Sequence, residues 1–303
     1  MNNLVSVIVP VYNRAHLVSE AIQSILSQTY ESVEIIIIND GSTDGSLSIL
    51  RDYERKFPEQ IRVIDQPNQG QIIARNNGVK IAQGKYIAFL DSDDIWLERK
   101  LERQMSLFGP GVGLVYSGTE IINEEGKTIR VEPADENMSG NIYSQLLVKN
   151  RMTGGTVVVT AEALKRVGVF STDFRAAENW DLWLRICKVY QARVVTDPLI
   201  KYRVHSNNMS GDTQLMLEAK LKIIEKHCNM ESKDPDIARY SRLAHADYHY
   251  REGLNYFAKA QYRFARREFF SVLGFSILYE DTWLRLARSL LGERGNRLLR
   301  GLK

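Results

Sequence analysis

The feature that most constrains this chain is an alternation in its first third. Short apolar runs rich in β-branched residues, Leu4–Val11, Val33–Asn39, Ile61–Asp65 and Lys85–Leu90, are separated by amphipathic stretches, Ala15–Ser27, Asp44–Phe57 and Gln71–Gln83. Runs of the first kind read as buried strands and stretches of the second kind as helices, so the text predicts a parallel sheet covered by helices. Gly84 stands where the third helix is expected to close. Because parallel strands point one way, the three β-to-α turns fall on one edge of the sheet, the edge where open α/β sheets bind ligands. Candidate functional residues are therefore sought there first.

Beyond Asp94 the pattern loosens. Leu97–Leu107 reads as a helix, Gly113–Ile122 and Thr128–Val131 as strands, and Glu132–Gly140 as a polar loop. Thr156–Thr160 reads as a strand before the helix Ala161–Val167, and Trp180–Tyr190 as a helix before strands at Arg193–Thr196 and Leu199–Val204. These place one α/β domain at residues 1–212 and a helical extension at 213–303. Within the extension, Asp247–Val272 carries small and aromatic residues at helical spacing and resembles one tetratricopeptide-like helical pair; a single copy does not make a solenoid.

At 303 residues and 44% hydrophobic the chain can bury a full core. Its 40 basic and 37 acidic residues are too near balance for a general polyanion binder. Cys187 and Cys228 lie far apart without a CxxC partner, which supports neither a disulfide framework nor a cysteine zinc site and fits a reducing, cytoplasmic setting. Leu4–Val11 lacks the basic start and small-residue cleavage site of a leader, and no apolar stretch approaches the roughly 20 residues that span a bilayer. Membrane contact, if made, is expected at the inner face and through the tail. From Trp283 to Lys303 the arginines and Lys303 face only Glu293, while Trp283 and several leucines supply an apolar set. A helix packed on the rest of the protein is the competing reading.

Five polar motifs fall on or near the ligand-binding edge: Pro10-Val11-Tyr12-Asn13-Arg14; Asn39-Asp40-Gly41-Ser42-Thr43-Asp44-Gly45; Ala74-Arg75-Asn76-Asn77-Gly78; Asp91-Ser92-Asp93-Asp94; and Glu178-Asn179-Trp180-Asp181-Leu182-Trp183-Leu184-Arg185. In this order and spacing they resemble the motif set of family 2 glycosyltransferases with the GT-A fold, over about residues 4–210. The resemblance implies an inverting transfer of a sugar from a nucleotide diphosphate, a uridine nucleotide by preference, to an acceptor hydroxyl in polysaccharide, glycolipid or other cell-envelope glycan synthesis.

The chemistry of the residues agrees. A carboxylate at the end of a buried strand needs a donor, and the resemblance makes that donor the base imide for Asp40; capping of a nearby turn or helix is the alternative. Tyr12 could stack on the base or belong to the core. The resemblance implies that Pro10, Asn13 and Arg14 shape the first loop against the nucleotide and that Arg75 reaches back to it from its helix; a solvated charge is the alternative for Arg75. It likewise implies that Asp91 and Ser92 face the ribose and that Asp93 faces a divalent metal, Mn or Mg, which His205 completes; a structural histidine is the alternative for His205, and a plain helix cap for the acid cluster. A metal held by carboxylate oxygen neutralises a departing diphosphate. Asp94 is expected to cap a following helix. Gly154-Gly155 admits the donor closely or forms a turn.

At the fifth motif the chain departs from its relatives. The usual pair there is acidic and its second member is the expected base, but here the pair is Glu178-Asn179. An amide does not accept a proton at neutral pH. Glu178 taking the role, an Asp replaced so as to trap a complex, and donor binding without transfer all remain open. Glu178 is preferred because its longer side chain could reach a hydroxyl from one residue earlier. Asp181 is a further catalytic candidate, expected to cap or pair locally.

Overall fold

Four strands follow the four apolar runs: β1 (Val5–Val11), β2 (Val33–Asp40), β3 (Ile61–Gln66) and β4 (Tyr86–Phe89). The helices α1 (Val18–Leu26), α2 (Ser46–Lys56) and α3 (Gln71–Ile81) lie between them in a computed structural model that describes residues 3–205, 208 and 211–292. All four strands are parallel, in the order β3-β2-β1-β4. Every residue of β1 is buried, as expected of a central strand covered on both faces. From β1 the chain crosses first toward β2 and β3 and then back to β4, so the topological switch lies between the carboxyl ends of β1 and β4. A crevice opens at such a point.

The chain continues through β5 (Ile95–Trp96), α4 (Lys100–Met105), β6 (Val112–Ile122), β7 (Thr128–Glu132), the single turn α5 (Tyr143–Leu146), β8 (Val158–Thr160), α6 (Ala161–Val167), α7 (Glu178–Cys187) and β9 (Gln191–Arg203). The sheet extends past β4 through β8, β6, β9 and β5, with β7 paired to β6, so its second half is mixed. Two local expectations change. Ile95-Trp96 forms a short strand on Lys201 and Ile200 rather than a helix start, so Asp94 caps no helix. Gly84 lies beyond the end of α3, and a Cβ there would meet Ser6 Oγ at 2.6 Å and Leu4 O at 2.7 Å. Its role is close approach to the strand beside it, not helix termination.

The chain divides into two compact units. The first takes in Met1–Tyr143, Arg151–Asp173 and Glu178–Asn208; the second takes in Ser144–Asn150, Phe174–Ala177 and Met209–Lys303. The second is therefore not one continuous stretch. It holds α8 (Thr213–His227), α9 (Pro235–Ala258), α10 (Tyr262–Phe275) and α11 (Thr282–Leu290). Asp212 caps α8 by accepting from Leu215 N, and Asp234 caps α9, whose first residue is Pro235. α9 and α10 close on each other where Gly253 leaves room for Phe269: a Cβ at 253 would lie 2.6 Å from that ring. No described helix is long and apolar enough to cross a membrane.

Candidate active site

At the carboxyl end of β1, Tyr12 is 46% exposed, which excludes the core reading and leaves its ring facing solvent. Asn13 adopts φ 52°, in the left-handed region that Asn tolerates better than most residues. Its N–H donates to Ser42 Oγ at 3.0 Å and its Oδ1 accepts from Thr43 N at 2.8 Å. Arg14 N donates to Ser46 Oγ at 2.8 Å. The first loop is thus tied by short bonds to the loop after β2. Pro10 stays inside β1, opposite Ile38.

Asp40 is buried at the end of β2. Its Oδ1 accepts from Gln66 Nε2 at 2.7 Å and Gln69 N at 2.9 Å, and its Oδ2 from Gly70 N at 2.8 Å. Asp40 therefore pins the loop that leads into α3. An ionised carboxylate offers about four acceptor sites, so these three bonds leave room for one more donor, on Oδ2.

The Asp91–Asp94 loop follows β4 at the switch point. Asp91 Oδ1 accepts from Arg75 Nη2 at 2.6 Å, and Arg75 Nη1 donates to Glu178 Oε1 at 2.5 Å. Arg75 is buried, with its guanidinium 5.6 Å from the Phe170 ring centroid and its Nε without a partner. Burial works against its charge, but Asp91 and Glu178 outweigh burial and raise its pKa. Arg75 is thus not a solvated helix charge: each of its terminal nitrogens bonds a carboxylate. Phe170 is itself clamped, since Asn76 Nδ2 donates to its carbonyl at 2.9 Å and Asn76 Oδ1 accepts from its N–H at 3.1 Å.

Asp93 Oδ2 lies 3.0 Å from His205 Nε2 and 3.4 Å from Arg14 Nε, while Ser92 beside it is buried. The placement depends on Arg203, which sequence reading missed. Arg203 is buried and donates from Nε to Asp93 O at 3.0 Å, from Nη1 to Glu124 O at 2.7 Å and from Nη2 to Glu20 Oε2 at 2.6 Å. Its backbone N–H donates to Asp94 Oδ1 at 2.9 Å. The Asp94 carboxyl is pushed well above the usual carboxylate range, first by burial and then by the charges of Asp91 and Asp93. The one local signal for Arg203 is a cation two residues before His205 at a strand end.

A carboxylate oxygen and an imidazole nitrogen 3.0 Å apart suit Mn or Mg as a donor set. Among the described residues no group of three or more His, Cys, Asp or Glu side chains converges.

α7 enters after Ala177, whose φ of 59° is a strained position for a residue with a Cβ. Glu178 is bound by Arg75 and by Gln71 Nε2 at 3.4 Å, and only 5% of its side chain is exposed. Asn179 is half-buried, and its Nδ2 would lie 3.9 Å from a Cβ at Gly154. The Gly154–Thr156 turn is a single 3-10 turn, with Gly155 packed so closely on Ile200 that a Cβ there would come within 2.3 Å of Ile200 Cδ1. Asp181, a catalytic candidate by sequence, is fully buried and accepts from Arg185 Nε at 2.9 Å. Arg185 also donates to the carbonyls of Val167 and Val169 at 2.6 and 2.7 Å. This pair anchors α7 to the turn after α6.

Comparison with known proteins adds a family and a fold. The profile described as glycosyl transferase family 2 matches residues 6–172. An uncharacterized glycosyltransferase of Rickettsia conorii is 34% identical over 218 residues, covering 69% of this chain and 35% of its own length. The chain thus matches about a third of that relative and of its Rickettsia felis counterpart. WfgD of Escherichia coli, a UDP-Glc:alpha-D-GlcNAc-diphosphoundecaprenol beta-1,3-glucosyltransferase, is 33% identical over 216 residues, 69% of this chain and 80% of its own. Among solved structures, the mannosyltransferase PcManGT of Pyrobaculum calidifontis, in complex with GDP-Man and Mn2+, gives a TM-score of 0.65 at 22% identity, covering 95% of this chain and 80% of that one. TarS of S. aureus in complex with UDP-GlcNAc gives 0.64 at 20%, covering 89% and 81%. The mixed sheet followed by helices is the GT-A arrangement.

Proposed function

The chain belongs to glycosyl transferase family 2, and from that premise we propose that it moves a sugar from a nucleotide diphosphate, a UDP-sugar by preference, to a hydroxyl of a cell-envelope glycan acceptor with inversion. The observation that carries the reading is the convergence of Asp93 and His205, 3.0 Å apart, at the switch point beside the Arg75-bound Asp91. An anionic donor meets acids there only if a cation lies between, and a divalent metal would neutralise the diphosphate as it leaves. The preference for uridine rests on the motif resemblance and on the uridine donors named for WfgD and for the TarS complex; the GDP-Man complex of PcManGT makes guanosine the alternative.

The residues divide the work. The remaining acceptor site on Asp40 Oδ2 takes the base imide N–H, Tyr12 covers the base, and the bonded loop of Asn13 and Arg14 lies along the nucleotide. Asp91, oriented by Arg75, accepts from the ribose hydroxyls beside Ser92. Arg14 keeps a cation near the phosphates. During transfer the acceptor oxygen bonds to the anomeric carbon, the bond to the diphosphate oxygen breaks with its electron pair, and a carboxylate removes the acceptor proton. Glu178 is assigned that last role, Arg75 holding one of its oxygens. Such acceptors would be met at the inner face of a membrane, so a peripheral, cytoplasmic enzyme is part of the same reading.

A second reading has its own support. Glu178 is clamped by Arg75 and almost wholly enclosed, whereas the more exposed Asn179 stands where the family base is expected. On that reading the protein binds donor and transfers it poorly. A donor panel tests the proposal: UDP-, GDP- and dTDP-sugars are incubated with Mn or Mg and a lipid-diphosphate acceptor, and products are detected by mass spectrometry. UDP-sugar turnover is expected; donor binding without product from any of the three supports the second reading.

A further inference from the structure

A surface helix ordinarily turns polar residues to water and apolar ones inward. α11 reverses this. Its buried positions include Thr282 and Ser289 with Leu286, while its exposed positions and the residue just after it are Trp283, Leu284, Ala287, Leu290 and Leu291. No charged side chain interrupts that exposed face. Just before the helix, Ile277 is 65% and Leu278 88% exposed, and Trp283 Nε1 donates to Ile277 O at 2.9 Å, joining loop and helix into one patch. Among the described residues of its own unit, nothing covers this apolar surface.

Arginines flank it. Arg285 and Arg288 lie beside the face on α11, Arg285 paired with the part-exposed Asp281 at 2.9 Å, and Arg263 and Arg267 are exposed on the neighbouring α10, with Glu280 the exposed acid just before α11. Arg294, Arg297, Arg300 and Lys303, with Glu293, lie outside the described residues. An apolar face with a tryptophan, rimmed by arginines, matches the layering of a bilayer surface, where acyl chains lie beneath anionic headgroups. A second copy of the chain fits less well. The patch comprises seven residues, whereas a stable protein interface takes about 20–30 a side. Repulsion between the two basic rims would also oppose pairing.

We propose that the α11 face, together with Ile277 and Leu278, is a docking surface for an anionic lipid bilayer. The contact extends the peripheral-membrane part of the functional reading and is independent of the donor site. The apolar residues enter the acyl boundary while the arginines remain at headgroup level.

The test uses the full chain and vesicles of phosphatidylcholine alone or mixed with phosphatidylglycerol, read by flotation, with UDP binding and light scattering on the same preparations. The chain should float with the anionic vesicles and far less with the neutral ones. Leu284→Glu with Leu290→Glu should lower the partition coefficient by about tenfold or more, and Arg263→Glu with Arg267→Glu should lower it several-fold on anionic vesicles only. All variants should bind UDP as the parent does, since these residues lie outside the donor site. Unchanged flotation of the leucine variant would overturn the proposal. So would a dimer that the same variant splits, or loss of flotation on deleting 293–303 with no effect of the leucine changes. Flotation without UDP binding would instead break the functional reading and leave the docking surface standing.

Discussion

Two buried charge clusters in this molecule use the same chemistry to different ends. In the α/β unit, Arg75 bridges Asp91 and Glu178, and one of those carboxylates, Asp91, keeps a third of its side chain in solvent at 33%. In the helical unit, Asp247 is the hub. It is bonded by Lys220, by Arg251 Nε at 2.6 Å and by Tyr279 OH at 2.5 Å, with 6% of its side chain exposed. Burial draws the Lys220 ammonium down to about 8, although Asp247 works in the opposite direction. The helical cluster fastens α8, α9 and the loop before α11 around an enclosed carboxylate. The other cluster spends a buried cation to hold a carboxylate at a crevice. Partial exposure at a strand end, rather than the presence of a buried ion pair, separates a site from a fastening.

The largest effect is expected at Glu178. If it is the base, Glu178→Gln lowers turnover by about 10²–10⁴ and Asn179→Asp changes it little. If Glu178 only holds Arg75, Asn179→Asp raises turnover about a hundredfold and defines a chain whose transfer step is disabled. Steady-state rates with one acceptor decide between them.

The helical cluster makes the opposite demand. Asp247→Ala should cost about 3 kcal/mol of stability by stranding Lys220, seen as a lower melting temperature, while turnover per folded molecule stays unchanged. A loss of turnover without a loss of stability would erase the distinction.

Arg203 sharpens the contrast, because it holds the backbone of Asp93 rather than touching a ligand. Arg203→Gln should weaken Mn-dependent UDP binding by about tenfold, in keeping with the roughly 1–3 kcal/mol cost of unpaired buried polar groups. Metal-free UDP binding should move less. Equal losses with and without Mn would make Arg203 a general fold residue.

The smallest effect is in the helices. His245, stacked on Phe275 with His249, is held below its ordinary value first by burial and then by His249. Glu268 Oε2 sits 2.7 Å from His249 Nδ1 on the other side. The unfolded chain takes up a proton at His245 near its ordinary value that the folded helices resist, so stability is lost as pH falls below about 6.5. Melting curves of the parent should show this small slope, and His245→Gln should flatten it.

What was legible in the sequence follows from range. β1 to β4 and α1 to α3 are written in local periodicity, and Asp40, Asp91 and Asp93 follow from their positions at strand ends. The strand at Ile95-Trp96 has no local signature, because it comes from pairing with Ile200 and Lys201, far along the chain. The commitment of Arg75 to Glu178, 103 residues away, has no local signature either. Gly84 looked like a helix end because the strand that crowds it lies near the start of the chain. The reversed face of α11 shows only once its packing says which side is buried.

The central claim, that the crevice at β1 and β4 binds a nucleotide diphosphate through Asp93 and a divalent ion, is tested most directly by calorimetry of UDP on the full chain. Parent protein and Asp93→Ala are titrated in Mn and again in chelator. Mn-dependent binding to the parent is expected, with a loss of about tenfold to a hundredfold in the variant with Mn, as for one charge-assisted contact of roughly 1.5–3 kcal/mol, and weak, nearly equal binding of both in chelator. Undiminished binding by Asp93→Ala in Mn, or parent affinity unchanged by chelator, would contradict it.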